Sequence, residues 1–287
     1  MFPAVIPVAG WGTRSLPASK AIPKEMLSVC NKPVIQYVVE EAAQAGVTRI
    51  IFVNSKGKSS IEDHFDRHPD LESFLEKKSK PELLKEIRAL SELVEVQSVR
   101  QKEALGLGHA VGMAAAMVSE SHFFVLLGDE ITDSEPSATQ QLLNERESLG
   151  AEAESAGIVM VTKVSDVDVS KYGICELQNG HASRVSRCME KPKASDTPSR
   201  WAITGRYLLP RDTFEKISKL GKGSIGEIQL TDALDALAKE GRLYICEFSG
   251  KRLDAGDALG FLEANIYFFL KSDLKDKVQK ILKEYSK

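Results

Sequence analysis

The chain is poor in cysteine, contains no long apolar run and has no surplus of positive charge, and each shortage removes a class of function. Its four cysteines, Cys30, Cys175, Cys188 and Cys246, lie far apart in sequence with no C-x-x-C pair. A zinc site or a disulfide framework needs clustered thiols, so these read as reduced core residues. No stretch approaches 18 uncharged apolar residues, and "MFPAVIPVAG" lacks the basic and long apolar regions of a secretory signal. The expectation is a cytoplasmic protein with no membrane partner. Lys and Arg number 38 against 41 Asp and Glu, a net charge of -3. No global basic field exists to hold nucleic acid, so any positive site must be local and suits a small anionic ligand.

What is present is a series of short apolar runs: "AVIPV" (4–8), "RIIFVN" (49–54), "VEVQSV" (94–99), "HFFVLLGD" (122–129), "AGIVMVTKV" (156–164) and "AITGRYLL" (202–209). Longer segments with helical spacing separate them. Strands alternating with helices predict an α/β fold with a mostly parallel central sheet flanked by helices, taken as one domain over 1–287. In "KPVIQYVVEEAAQAG", Pro33 sits in the first turn, Val34, Val38, Ala42 and Ala45 recur at helical spacing, and Gly46 stops the helix. Pro7 cannot donate to a central ladder, which places it at the last pairing position of the first strand. The charged segment 58–92, interrupted at Pro69 and Pro81, predicts helices hung on the sheet edge as an insertion; 257–287 predicts C-terminal amphipathic helices, and "KPKASDTPSRW" (191–201) a mobile flap.

The densest chemistry follows the first strand, in "VAGWGTRSLPASKAIPKEML" (8–27). A glycine-rich turn at the carboxyl end of a strand lets backbone N–H groups approach phosphates. Gly10 and Gly12 begin a G-x-G, but Ser15 stands where a dinucleotide fingerprint has its third glycine, and the second strand ends in Asn54 rather than an acid. Nor is there the G-K-[ST] ending of a Walker A loop. What remains is a glycine loop followed by Arg14, Lys20 and Lys24, suited to a triphosphate.

This loop resembles the pattern A-G-x-G-T-R-x-L-P-x-T-K-x-x-P-K-E-M-L of the sugar-nucleotide pyrophosphorylases, in particular their bacterial UTP–glucose-1-phosphate uridylyltransferase branch. An ordered set of further motifs carries the resemblance along the chain: "NKPVIQYVVEEAAQAGV" (31–47), "RQKEALGLGHAV" (100–111), "LLGDE" (126–130), "KYGI" (171–174), "MEKPK" (189–193), "GRYLL" (205–209), "GEIQLTDAL" (226–234) and "DAGDALGF" (254–261). Ser19 replaces the usual threonine, and Glu130 the second aspartate of the family's "DD".

The resemblance implies a Rossmann-like nucleotidyltransferase fold and an in-line attack by glucose 1-phosphate on the α-phosphorus of UTP, releasing pyrophosphate and forming UDP-glucose. A phosphate oxyanion needs no general base, so positioning and charge neutralisation carry such a reaction. Arg14 and Lys24 then match the residues that meet the triphosphate, with Lys20 a weaker candidate. Asp129 matches a Mg²⁺ ligand and Asp254 the second one; few carboxylates suffice because Mg²⁺ keeps waters and phosphate oxygens. Lys191 matches the lysine on the sugar phosphate and Glu190 the carboxylate on sugar hydroxyls. Gln101 and Gly106, with the backbone of Ala9 and Gly10, resemble a uracil-reading set, and Gly12 and Thr13 complete the loop. Glu25 either meets the base or pairs with a lysine, and Gly173 either admits glucose or serves a turn. The family also implies a homodimer or homotetramer.

Outside this set, His64 and His68 have the i, i+4 spacing of helical metal ligands but no accompanying acid and an adjacent Pro69, so they read as surface histidines. Trp11 is expected over the nucleotide site, and "EIQLTDALDAL" to be structural or to contact another subunit. The rival functions are a glucose-1-phosphate thymidylyltransferase, a regulatory homologue and, disfavoured by the glycine pattern, a nicotinamide oxidoreductase. The intact Thr13 and Arg14 favour an active catalyst over the regulatory homologue.

Overall fold

The computed structural model describes residues 1–223 and 226–286. The strands are β1 (Ala4–Pro7), β2 (Ser28–Val29), β3 (Lys32–Pro33), β4 (Arg49–Asn54), β5 (Glu95–Arg100), β6 (His122–Leu126), β7 (Glu130–Asp133), β8 (Gly157–Lys163), β9 (Gly173–Leu177), β10 (Val185–Glu190), β11 (Trp201–Pro210), β12 (Leu243–Glu247) and β13 (Lys251–Asp254). The helices are α1 (Val34–Gln44), α2 (Ser60–Asp63), α3 (Pro69–Lys77), α4 (Pro81–Ser91), α5 (Leu107–Gly112), α6 (Ala138–Ser148), α7 (Thr213–Ser218), α8 (Leu230–Lys239), α9 (Ala258–Lys271) and α10 (Lys275–Tyr285).

The central sheet runs β10-β9-β11-β6-β1-β4-β5, with β8 on β11 and β12 on β8. The pairs β1·β4, β1·β6, β4·β5 and β8·β12 are parallel, while β11 is antiparallel to β6, β8 and β9, and β10 to β9. Among the described residues, seven of the nine strands therefore run one way, the mostly parallel sheet that the alternating runs predict. Because β5, β4, β1 and β6 are parallel, the loops 101–106, 55–59, 8–27 and 127–129 all emerge from one edge. Ligands collect at that carboxyl edge in α/β sheets.

Pleating explains the continuous apolar runs. Val5, Ile51, Val53, Phe123 and Val125 face a core closed by α5, α7 and α8, whereas Ala4, Ile6, Ile50, Phe52, Phe124 and Leu126 face one closed by α1 and α6. A strand covered on both faces has no polar alternation to show. Pro7 ends β1, opposite Val53 of β4 and beyond the last pairing with β6. Pro69 and Pro81 begin α3 and α4, since the missing N–H of a first-turn proline has no intrahelical partner to lose.

Two local expectations change. The run "HFFVLLGD" leaves the sheet at Leu126, and Asp129 sits in a turn closed by Glu130 N on Leu127 O at 3.4 Å. The 191–201 loop is tied to β9, with Thr197 Oγ1 donating to Glu176 at 2.7 Å and Ser199 Oγ to the Cys175 carbonyl at 2.5 Å, which opposes a free flap. Cys175 and Cys188, distant in sequence, face each other across β9 and β10 as thiols, Sγ to Sγ 3.5 Å. Of the 257–287 helical run, residue 287 lies outside the described residues. No described helix is long and apolar enough to cross a membrane.

Candidate functional site

The loop after β1 folds back on itself before any ligand is considered. Gly12 adopts the left-handed conformation, its carbonyl accepts from Ser19 Oγ at 2.7 Å, and a short 3-10 turn over Thr13–Ser15 follows. Ser19, which stands in place of the family's threonine, thus supplies the same hydroxyl. This turn aims Arg14 across the sheet edge toward two carboxylates, 3.7 Å from Asp129 Oδ2 and 3.7 Å from Asp254 Oδ2. Lys24 pairs with the same Asp129 oxygen. Burial alone would raise the Asp129 carboxyl, but the charges of Lys24 and Arg14 hold it below the ordinary range. Burial likewise pulls Lys24 down, and Asp129 and Glu25 more than reverse this. Both groups are therefore charged at neutral pH.

Asp254 arrives from β13, whose pairing with β7 sets Asp254 opposite Glu130. Its Oδ1 accepts from Gly256 N at 2.8 Å. A Cβ added to Gly256 would fall 2.9 Å from Asp129 Oδ2, 2.9 Å from Asp254 Oδ1 and 2.5 Å from Arg14 Nη2. One oxygen of each carboxylate thus converges on a single point that only glycine leaves open. Asp129 and Asp254, brought together on the same side of Arg14, are hard oxygen donors that could hold a divalent cation completing its shell with phosphate and water. Among the described residues no group of three or more His, Cys, Asp and Glu side chains could hold a metal ion.

Glu130, the first residue of β7, points elsewhere. Its Oε1 accepts from Arg252 Nη2 at 2.5 Å, and Arg252 Nη1 reaches the Tyr172 hydroxyl at 3.2 Å. Burial pushes the Glu130 carboxyl up to about 7 against the pull of Arg252.

A cleft of about 610 Å³ opens beside the loop, lined by Ala9, Gly10, Trp11, Lys24, Lys58 and Gln101 among others. Trp11 is 80% exposed at its rim. Glu25 pairs with Lys58 at 3.0 Å, and Lys58 also donates to the Val8 carbonyl at 2.5 Å. Of the two readings left open for Glu25, the structure thus displays the lysine pair, its partner supplied by the loop after β4. Burial raises the Glu25 carboxyl, with Lys58 opposing. Gln101 is held by Gly106 O at 3.3 Å and His109 Nδ1 at 2.9 Å. Gly106 has φ +102, and a Cβ there would meet Ile228 O at 2.7 Å, so no other residue fits this turn.

A second cluster lies where β9 and β10 pair. Glu190 sits opposite Gly173, its Oε2 accepts from Thr231 Oγ1 at 2.6 Å, and Lys191 Nζ lies 3.4 Å from its Oε1. Lys191 takes a left-handed backbone, φ +46, stabilised by its N–H on Tyr172 O at 3.0 Å. A strained non-glycine residue persists only where its surroundings over-determine it. Tyr172 links the two clusters, its hydroxyl on Arg252 and its carbonyl on Lys191.

Sequence reasoning assigned no role to Lys58, Tyr172, Arg206, Thr231 or Arg252, although "KYGI", "GRYLL" and "EIQLTDAL" contain three of them. Within the segment 226–231, Ile228 bonds Leu105 and Gly108, and Thr231 donates to Glu190. The two histidines part company, His64 pairing with Gln36 at 3.0 Å and His68 capping α3 through Leu71 N at 3.2 Å.

The sequence profile of the Nucleotidyl transferase family matches residues 3–269. The chain belongs to this family. A UTP–glucose-1-phosphate uridylyltransferase of Staphylococcus saprophyticus is 43% identical over 98% of this chain and 96% of its own length. Its namesake from Bacillus subtilis is 42% identical over 96% and 94%. Among solved structures, a UTP-bound UGPase from Acinetobacter baumannii superposes with a TM-score of 0.89 at 37% identity, covering 99% of each chain. A UDP-glucose pyrophosphorylase complexed with UDP-glucose gives 0.83 at 36%, over 95% of this chain and 100% of that one. A glucose-1-phosphate thymidylyltransferase from Bacillus anthracis, at 24% identity and a TM-score of 0.71, shares the fold.

Proposed function

We infer that the protein is a UTP–glucose-1-phosphate uridylyltransferase, converting UTP and glucose 1-phosphate to UDP-glucose and pyrophosphate. The observation that carries this is the near full-length likeness to uridylyltransferases, in a chain whose Arg14, Lys24, Asp129 and Asp254 meet beside a glycine loop. In this reading the backbone of Ala9, Gly10, Gly12 and Thr13 and the side chain of Gln101, with Gly106, hold the uridine and phosphates. Glu25 backs the base end through Lys58. Gly173 admits the glucose, Glu190 accepts its hydroxyls, and Lys191 neutralises its phosphate.

The sugar phosphate is itself the nucleophile, so the residues orient it rather than deprotonate it. Arg14 and Lys24 offset charge on the departing pyrophosphate, Lys24 from a mostly buried position where such contacts are strengthened. Asp129 and Asp254 would hold Mg²⁺, which supplies charge neutralisation on the phosphates. A cytoplasmic homo-oligomer, dimer or tetramer, is part of the proposal.

Pyrophosphate release from UTP plus glucose 1-phosphate with Mg²⁺, run beside dTTP, is the test. Release with UTP at a higher kcat/KM than dTTP is expected. A preference for dTTP, or no release with either, overturns the reading.

A further inference from the structure

Among the described residues Arg206 is the bulkiest side chain shut off from water. It stands on β11, where that strand pairs with Leu126 at the end of β6. Its guanidinium does two things at once. Toward α1 it donates to Glu41, from Nε at 3.0 Å and from Nη2 at 2.7 Å. Toward the sheet edge Nη1 donates to Leu127 O at 3.2 Å and Nη2 to Glu130 O at 2.7 Å.

Those two carbonyls are the first and last of the turn that carries Asp129. Glu41 is in turn fixed by Thr132 Oγ1 at 2.6 Å, and by Thr139 N at 3.1 Å and Oγ1 at 2.7 Å. Burial raises the Glu41 carboxyl, but Arg206 and these donors bring it below the ordinary value, so the anion persists under the turn. A planar guanidinium with donors in a fixed fork can span two carbonyls while holding a carboxylate; an ammonium cannot serve all three.

We infer that Arg206, anchored by Glu41, is a positioning residue that brackets the Leu127–Glu130 turn and so sets where the Asp129 carboxylate stands. A core-filling role needs only volume and charge balance. This geometry adds a rigid strut between two packed elements and one catalytic turn, and a misplacement of 1 Å at a reacting centre costs up to about a hundredfold in rate. The inference rests on the proposed role of Asp129, and the test separates the two.

The test is a double variant, Arg206→Met with Glu41→Met, which removes both charges together because replacing a whole buried ion pair by apolar side chains leaves no lone charge. Amide exchange of residues 127–130 in the metal-free protein should quicken about tenfold while β1 and β4 keep their protection. Turnover should fall about ten- to a hundredfold with KM for UTP within about threefold. Arg206→Lys, which still faces Glu41 and reaches one carbonyl, should recover part of both. Unchanged local exchange, or turnover within about threefold of the parent, overturns the inference. So does global unfolding of both variants, which would assign Arg206 to the core alone. Asp129→Asn is run beside them. Parent-like turnover there would sink the Asp129 role, while the exchange result still decides whether Arg206 brackets the turn.

Discussion

Replacing Thr231 by valine removes one hydroxyl and almost nothing else, because the residue is buried in the first turn of α8 and a β-branched methyl fills the same space. The hydroxyl donates to the Glu190 carboxyl oxygen Oε2 at 2.6 Å. Hydrogen bonds to charged groups contribute about 1.5–3 kcal/mol. Glu190 keeps Lys191 at 3.4 Å and its side chain is 21% exposed, so water replaces part of the loss and the low end applies. About 1.4 kcal/mol is tenfold. Thr231→Val should therefore raise KM for glucose 1-phosphate about tenfold and leave KM for UTP within about twofold, since in its proposed role Glu190 would turn away from the sugar hydroxyls. Initial rates of pyrophosphate release, with each substrate varied at saturation of the other, give both constants. Thr231→Ser should restore the parent values. An equal rise in both KM values, or no change in either, refutes the claim that this hydroxyl orients Glu190.

Lys191→Ala should raise KM for glucose 1-phosphate ten- to a hundredfold, from a phosphate contact of about 1.5–3 kcal/mol, with UTP spared; equal damage to UTP binding would reassign it. Asp129→Asn should nearly abolish turnover at any Mg²⁺ concentration and Asp254→Asn impair it strongly, whereas Arg14→Ala should slow turnover with Tm unchanged, its side chain being mostly exposed. Turnover of each against Mg²⁺, with melting curves, checks all three. Glu130→Gln should lower stability by about 1 kcal/mol and turnover less, because it removes the negative charge that the half-buried Arg252 faces while leaving an acceptor and the Tyr172 hydroxyl in place; a dead but fully stable enzyme would contradict this. Stability should also fall on acidification. His122 is fully buried, and burial with the nearby Arg146 charge lowers it to about 4 from 6.5. It stays neutral in the fold while the unfolded chain takes up a proton, so stability is lost as pH drops from 6.5 toward 4. At about 1.4 kcal/mol per pH unit the loss reaches about 3 kcal/mol. Urea unfolding at pH 7 and 5 measures the slope, which His122→Leu should flatten.

How much of this was legible in advance depended on how far apart the interacting residues stand in the chain. The glycine loop, the Pro33 helix start, the strands β1, β4, β6 and β8, and the carboxylate after β6 are local features. Apolar runs, proline and glycine dictate them within a few residues, and so the linear text sufficed for the fold class and for the glycine loop with its cations, whereas most other candidate site residues came from the resemblance to the pyrophosphorylases. Strands β7, β12 and β13 went unread because each owes its pairing to a distant partner, and β9 and β10 because polar residues interrupt their apolar pattern.

The same holds within the site. "EKPK" marks Glu190 and Lys191, but nothing nearby indicates that Thr231, 41 residues on, sets the carboxylate's angle. Glu25 was left between two partners because Lys58 comes from another loop 33 residues away. Arg206 and Glu41 are 165 residues apart, and in sequence each is one charged residue among many. Burial made them a unit: inside the protein an unpaired charge is so unfavourable that two distant residues, once the sheet and α1 close over them, must satisfy one another and the carbonyls between them. Local pattern chose the elements and the chemistry they carry, while the convergence of Asp129, Asp254 and Arg14 on one point came only with the pairing of β7 and β13, a contact between segments more than a hundred residues apart.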